Sequence, residues 1–383
     1  MVYLDHASAM PVDPRVLAYL RDHGDALCGN PSSLHSVGLA ARRELEAARG
    51  RVAALINAPV SSSIVFTAGA TEANNLAIRG TAERNQKHGK TIAVSAIEHI
   101  SIINPAKYLV KQGFELATVP VDADGLVSPD VLAGLMTPDT TVVSINYAND
   151  EIGTIEPVRE LARLVHEEEH RYLHVNATAA GGRIPIDVQS DEIDLLTLSS
   201  SDLGGPRGAG ALYVAPGVRL QTVMPGGGQE RGLRSGTENL PAIAGMGEAA
   251  RIAGGEMEQE SRRQQKIRDA LIAGIGGIGE TYLTGHPRLR LPNHASFRFG
   301  RIEGESILLN MDTLFGIQVA TGSACTSQTL EPSHVLLAIG LTHEEAHGSM
   351  IMTTGRDTAE EAAPGVIDAV RQTVERLRAL SPL

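Results

Sequence analysis

The chain has 383 residues, enough for two packed domains or one large one. Its formal charge of −12 argues against a nucleic-acid surface as the primary role, and no apolar run approaches a membrane-spanning length. With only two cysteines, Cys28 and Cys325, there is no disulfide framework, and a reducing cytoplasm is the natural setting.

The start, MVYLDHASAMPVDP, has neither the basic end nor the apolar core of a signal peptide. From about residue 40 to 250, short β-branched runs alternate with helical patterns. The predicted strands are SIVFTA, TIAVSA, FELATVPV, TVVSINYA, YLHVNA, LLTLSS and GALYVA, with amphipathic stretches such as VRELARLVHEEEH between them. This alternation predicts an α/β fold with a mostly parallel sheet covered by helices, and ligands beyond the carboxyl ends of the strands. PGGGQERGLRSG reads as a long ordered loop. A helix from Asn239 to about Ile275 leads to a second region, where NHASFRFG and ESILLNMDTLFGIQVA suggest strand, helix and strand before a terminal helix. The expected division is a large domain, 13–255, and a smaller α+β domain built from 1–12 and 256–383.

Several constellations carry chemistry. FTAGATEANNLAI sets Thr71 near a helix start, where free backbone N–H groups favour a phosphate; a plain capped turn is the competing reading. SAIEHISI places His99 just after a strand, able to stack on a ring or carry a proton, or to serve only structure. ATGSACTS surrounds Cys325 with small residues, which suits a nucleophile, a sulfur carrier or an iron ligand. Two segments, His166 to His170 and His343 to His347, match H-E-x-x-H, a zinc pattern for which solvated helix faces are the simpler explanation. Cys28 reads as a packed small residue, or alternatively as a second sulfur ligand.

Taken together, YLDHASAMPVDP, GNPSSLHSVG, FTAGATEANNLAI, EHISIINPAKYL, NDEIGTIEPV, GGGQERGLRSGTENLPAI, EGESILL, TGSACTSQTLEPSHVLLAIGL and VERLRALSPL resemble the cysteine desulfurases of the class V aminotransferase group. The resemblance implies the type I pyridoxal-phosphate fold, a cofactor bonded to a lysine, and a loop cysteine that carries sulfur as a persulfide. It implies phosphate contacts from Thr71, Ser199 and Thr237, the last reaching in from the other subunit of a homodimer. It also implies ring stacking by His99 and the persulfide on Cys325.

The departures from the family cluster on the reaction. Asp202 stands where the family has its lysine and Ser201 where it has a histidine. Asn176 replaces the aspartate that pairs with the pyridine nitrogen, and Ala179 the glutamine on the ring oxygen. The substrate-carboxylate arginine falls at Ile351 and its partnering asparagine at Asp150. An aspartate about 5 Å from an anionic cofactor costs roughly 3 kcal/mol at an effective dielectric near 20. No lysine occurs between Lys111 and Lys266 to take over. SSSDLGGPRG and HEEAHG look similar to desulfurase-like proteins, notably among archaea, that also carry Asp at the lysine position.

The leading expectation is therefore a desulfurase-like homodimer of iron–sulfur cluster assembly or sulfur transfer, without covalent pyridoxal phosphate. Cys325 would be a persulfide carrier or an iron–sulfur ligand, and the partner a scaffold protein or other sulfur acceptor. Two alternatives stand beside it: an active desulfurase binding pyridoxal phosphate noncovalently, and a sulfur relay for tRNA or DNA thiolation acting through a protein partner. Neither a membrane nor direct nucleic-acid contact is expected.

Overall fold

A computed structural model of the chain describes residues 1–322 and 332–380. Its strands are β1 (Val2–Tyr3), β2 (Ile64–Thr67), β3 (Thr91–Ser95), β4 (Glu115–Val119), β5 (Thr140–Asn146), β6 (Tyr172–Asn176), β7 (Leu195–Ser199), β8 (Gly210–Val214), β9 (Thr281–Leu283), β10 (His294–Phe299), β11 (Ile317–Gln318) and β12 (Ser349–Thr353). Seven form one sheet in the order β2-β8-β7-β6-β5-β3-β4. β8 runs antiparallel to both neighbours, while the remaining pairs are parallel. Each predicted run of the first region lies on one of these strands.

Burial explains the composition of the strands. Every residue of β5 is buried, because helices cover both faces of a parallel sheet, so the run does not alternate between buried and exposed positions. The helix Val158–Val165 turns Val158, Leu161, Ala162 and Val165 inward, the i, i+3, i+4, i+7 stripe of a half-buried helix.

That helix stops before the first H-E-x-x-H motif, which removes the shared face a zinc site requires. His166 Nε2 lies 2.8 Å from Asp194, while His170 has left-handed backbone and stacks on His88 at 3.6 Å. His343 and His347 of the second motif are both exposed on a single short helix. Among the described residues no group of three His, Cys, Asp or Glu could hold a metal.

The helix Leu240–Gly276 begins at Asn239, whose side chain accepts from the Ala242 amide, and runs unbroken past residue 255. Its first half buries Leu240, Ile243 and Met246 in the main core. Its last turns place Ile267, Leu271 and Ile275 in a second core with Phe297, Phe299, Met350 and Met352. The second core lies against the antiparallel sheet β12-β10-β9, and β1 pairs with β11 beside it. No helix among the described residues is long and apolar enough to cross a membrane.

Candidate functional site

The carboxyl ends of the parallel strands converge on two adjoining clefts. β2 leads through a turn into the helix Ala70–Asn85, β3 into Glu98 and His99, β5 into Asp150, and β7 into Ser201 and Asp202. Strand β8 comes close enough that a Cβ on Gly210 would meet the Gly69 backbone at 2.5 Å. Glycines at both positions let the strand brace the turn that presents the helix N-terminus. Gly69 provides no side-chain cap, so the first-turn N–H groups remain available to an anion.

The inner cleft has a volume of about 180 Å³ and brings together Thr71, His99, Asp150, Asn176, Ala179, Ser201 and Asp202. The outer cleft, about 1060 Å³, shares Thr71, His99 and Ser201 and adds Ser199, Arg207 and Arg234. The structure thus gathers most of the residues read from the sequence, and among the described residues no lysine lines either cleft. Thr237 is exposed and lines neither cleft of its own chain. Ile351 is also outside both: it lies buried in β12, opposite Ser296 of β10, and its backbone pairs with Ala320. Its side chain lies on the face of β12 opposite Met350 and Met352, which enter the second core. Cys325 falls outside the described residues. Cys28 corrects its expectation: it is exposed, with Sγ 3.3 Å from the Gly24 carbonyl, because it follows a short surface helix rather than entering the core.

His99 caps the helix Ile100–Val110. Its Nδ1 accepts from the Ser101 amide at 3.1 Å and lies 2.8 Å from the Ser101 hydroxyl, which in turn accepts from Asn74 Nδ2 at 2.8 Å. With Nδ1 engaged as an acceptor, the neutral ring carries its proton on Nε2 and acts as a donor there.

Asn176 is held from both sides. Its Oδ1 accepts from the Thr178 hydroxyl at 2.9 Å, and its Nδ2 donates to Glu98 Oε2 at 3.4 Å. Glu98 is fully buried and also accepts from the Ser144 hydroxyl at 3.1 Å. Burial pushes its carboxyl up to about 8, so it holds a proton at neutral pH. Behind it, His174 bridges Ser144 and Thr197, and burial alone pushes that imidazole down to about 3.

Asp202 sits in the turn Ser201–Leu203. Burial pushes its carboxyl up; Arg183 and the Ser199 and Ser201 hydroxyls pull it back down, and Asp150 pushes it further up. Arg183 donates to the Ala179 carbonyl at 3.2 Å and is the cation of the inner cleft. Burial lowers its pKa and Asp202 opposes the shift. His294, contributed by β10, donates from Nε2 to the Asp150 carbonyl at 2.9 Å, and burial pushes its ring down to about 3.

Sequence reasoning missed Glu98, Arg183 and His294. Glu98 left a signal, a carboxylate directly after the apolar run TIAVSAI, and Arg183 another, a cation directly after a Gly-Gly turn. His294 left none, because it meets Asp150 from a strand 144 residues away in the chain.

The residues present fit one end of a pyridoxal-phosphate group and not the other. A capless helix N-terminus, Thr71 and Ser199 suit a phosphate. Asp202 offers no amine for a covalent bond.

The sequence matches the family described as Aminotransferase class-V over residues 2–354. It is 50% identical over 387 residues to the protein named Cysteine desulfurase IscS 1 of Archaeoglobus fulgidus, covering 100% of this chain and 99% of that one. It is 42% identical over 382 residues to Cysteine desulfurase IscS of Methanosarcina thermophila, covering 100% and 94%. Among solved structures, a NifS-like protein superposes with a TM-score of 0.91 at 34% identity, covering 98% of this chain and 100% of the other. The fold expected from the sequence, α/β with a mostly parallel sheet of the type I pyridoxal-phosphate kind, is the fold found.

Proposed function

The chain belongs to the class-V aminotransferase family, and from that premise we propose that it is a sulfur-transfer protein of the cysteine-desulfurase kind that works without a cofactor bonded to the chain. The observation that carries this is Asp202, at the end of β7 in a cleft that no lysine lines. In this reading the large domain, 13–255, holds the remnant pocket, and the small domain, 1–12 and 256–383, carries Cys325. The Cys325 thiolate takes the outer sulfur of a donor persulfide, the donor leaves as its thiolate, and no net oxidation occurs. The sulfur then passes to an iron–sulfur scaffold or another acceptor, or the thiolate serves as a ligand to a nascent cluster. Thr237, exposed and outside its own clefts, supports a homodimer in which it faces the partner's pocket.

Intact mass and the absorption spectrum of anaerobically purified protein test this proposal. After incubation with a small-molecule persulfide, one added sulfur is expected on Cys325 and absent from Cys325→Ser. A persulfide distribution unchanged by that substitution would overturn the role of Cys325.

A second reading is an active desulfurase that binds pyridoxal phosphate noncovalently through Thr71, His99, Ser199 and Thr237. The names of the relatives support it more than they support the first reading, and so does the phosphate-suited helix N-terminus. Where the cofactor binds, it supplies an electron sink for the substrate's α-carbon. This chain's own contribution is then a hydrogen bond from Asn176 to the ring nitrogen and a donor at His99 Nε2. Cofactor titration followed by assay for alanine released from cysteine separates the two readings.

A further inference from the structure

Beyond the clefts, a single carboxyl group touches the chain on both sides of Cys325. β5 leads into a turn fixed by Asn149, whose Oδ1 accepts from the Glu151 and Ile152 amides, each at 2.9 Å. Its Nδ2 donates to the Ile97 carbonyl at 2.9 Å, so the turn is tied to the end of β3. From this turn Glu151 Oε2 accepts from the Ser333 hydroxyl at 2.7 Å. Its Oε1 lies so close to Gly322 that a Cβ there would collide with it, and the same Cβ would meet Ser333 Cβ at 3.2 Å. Gly322 and Ser333 are thus neighbours in space, with the Glu151 carboxyl against both.

Each root has a further tie. The Gly322 amide donates to the Ser349 hydroxyl at 3.3 Å. Ser333 caps the helix His334–Ala338, its Oγ accepting from the Val335 and Leu336 amides at 3.1 and 3.4 Å. With its lone pairs so engaged, the Ser333 hydroxyl gives its proton to Glu151. Val335, Leu336 and Ile339 then pack on Ile97 and Ile152, beside the same turn. Burial, reinforced by Asp150, pushes the Glu151 carboxyl up to about 8, so a neutral acid sits there without a cation. Its Oε1 is buried and finds no partner among the described residues. The Oδ1 atoms of Asn74 and Asn293 share that condition, but those residues line the inner cleft, whereas Glu151 does not.

We infer that Glu151 is a positioning residue for sulfur transfer: its carboxyl group fastens the two roots of the cysteine-bearing segment, Gly322 and Ser333, to the end of β5. The inference rests on the reading of Cys325 as the sulfur carrier. Cys325 stands three positions after Gly322, so whatever fixes that root limits the space its thiol can reach.

The test compares Glu151→Ala, Glu151→Gln and Gly322→Ala in the full chain by hydrogen–deuterium exchange and by N-ethylmaleimide alkylation, both read by peptide mass. In Glu151→Ala, exchange at Gly322, Val335 and Leu336 is expected to rise about fivefold, the scale of one buried hydrogen bond, with β6 unchanged. Cys325 should alkylate about fivefold faster, while exposed Cys28 keeps its rate as the internal control. Glu151→Gln retains an acceptor for Ser333 in a neutral group of similar shape, and should hold both rates within about twofold of the parent. Gly322→Ala, which pushes the carboxyl aside, should behave as Glu151→Ala does. Thermal melts check that the variants fold, and substitutions on opposite sides of the contact keep the test standing if one does not. Unmoved exchange at Gly322 in the alanine variants, or Glu151→Gln as loose as Glu151→Ala, would overturn the inference. Neither readout needs sulfur, whereas the role of Cys325 is read by persulfide mass, so either can fail alone.

Discussion

Glu98, Glu151 and Glu156 share a physical state: burial pushes each carboxyl up to about 8 from an ordinary value of 4.5. Between those two values the folded chain binds protons that the unfolded chain has released. Stability is then fully present below about 4.5, falls as pH rises toward 8, and levels off above it. We therefore expect the melting temperature to decline from pH 5.5 to pH 8, and Glu98→Gln to flatten part of that slope. Thermal melts across the range check this, and a melting temperature that climbs over the same interval would contradict the burial of neutral glutamic acids. The partners differ in consequence. Glu98 touches Asn176 and so the cleft, Glu151 receives the Ser333 hydroxyl at 2.7 Å, and Glu156 receives the Val127 amide at 3.0 Å.

At the scale of elements, the loop around Glu230 carries the most conspicuous strain. Glu230, Arg231 and Gly232 follow one another in left-handed backbone, with φ of 46°, 59° and 77°. For the two non-glycine residues that conformation costs roughly 1–2 kcal/mol each. It persists because buried Arg49 grips both Glu230 oxygens at 2.8 Å and donates to the Ile64 carbonyl, while the Phe66 amide donates to Glu230 Oε2. The clamp ties the loop that leads to Thr237 to the strand that feeds the phosphate-suited turn. Arg49→Ala should destabilise the chain by about 3–5 kcal/mol, because it leaves a buried carboxylate without its cation. Urea denaturation measures the loss, and a change under about 1 kcal/mol would show that water replaces the guanidinium. This strain was not legible in QERGLRSG, since a non-glycine residue in left-handed backbone leaves no mark in a sequence. The seven strands were legible, because their runs are short, bounded by turns and, except at the edge strand β4, buried on both faces. Helix ends were less so: VRELARLVHEEEH keeps its polar tail in pattern, but only Val158–Val165 has a face to bury. Cys28 was misread for a related reason, because a small residue says nothing about which side of a short helix it leaves from.

At the scale of the whole molecule, the fold and most of the cleft followed from the chain, as resemblance and strand ends agreed on Thr71, His99, Asn176 and Asp202. What the sequence withheld is the part assembled across distance: His294 from β10, Arg183 beside Asp202, and the orphaned oxygens of Asn74 and Asn293. The central claim is that this cleft no longer performs cofactor-bonded cysteine cleavage. The most direct test is alanine release from cysteine in the presence of added pyridoxal phosphate, measured for the parent protein and for Asp202→Lys. The account predicts no alanine beyond the protein-free mixture from either, because Asn176 and Asp150 remain in the variant. Repeated turnovers by the parent protein would contradict it.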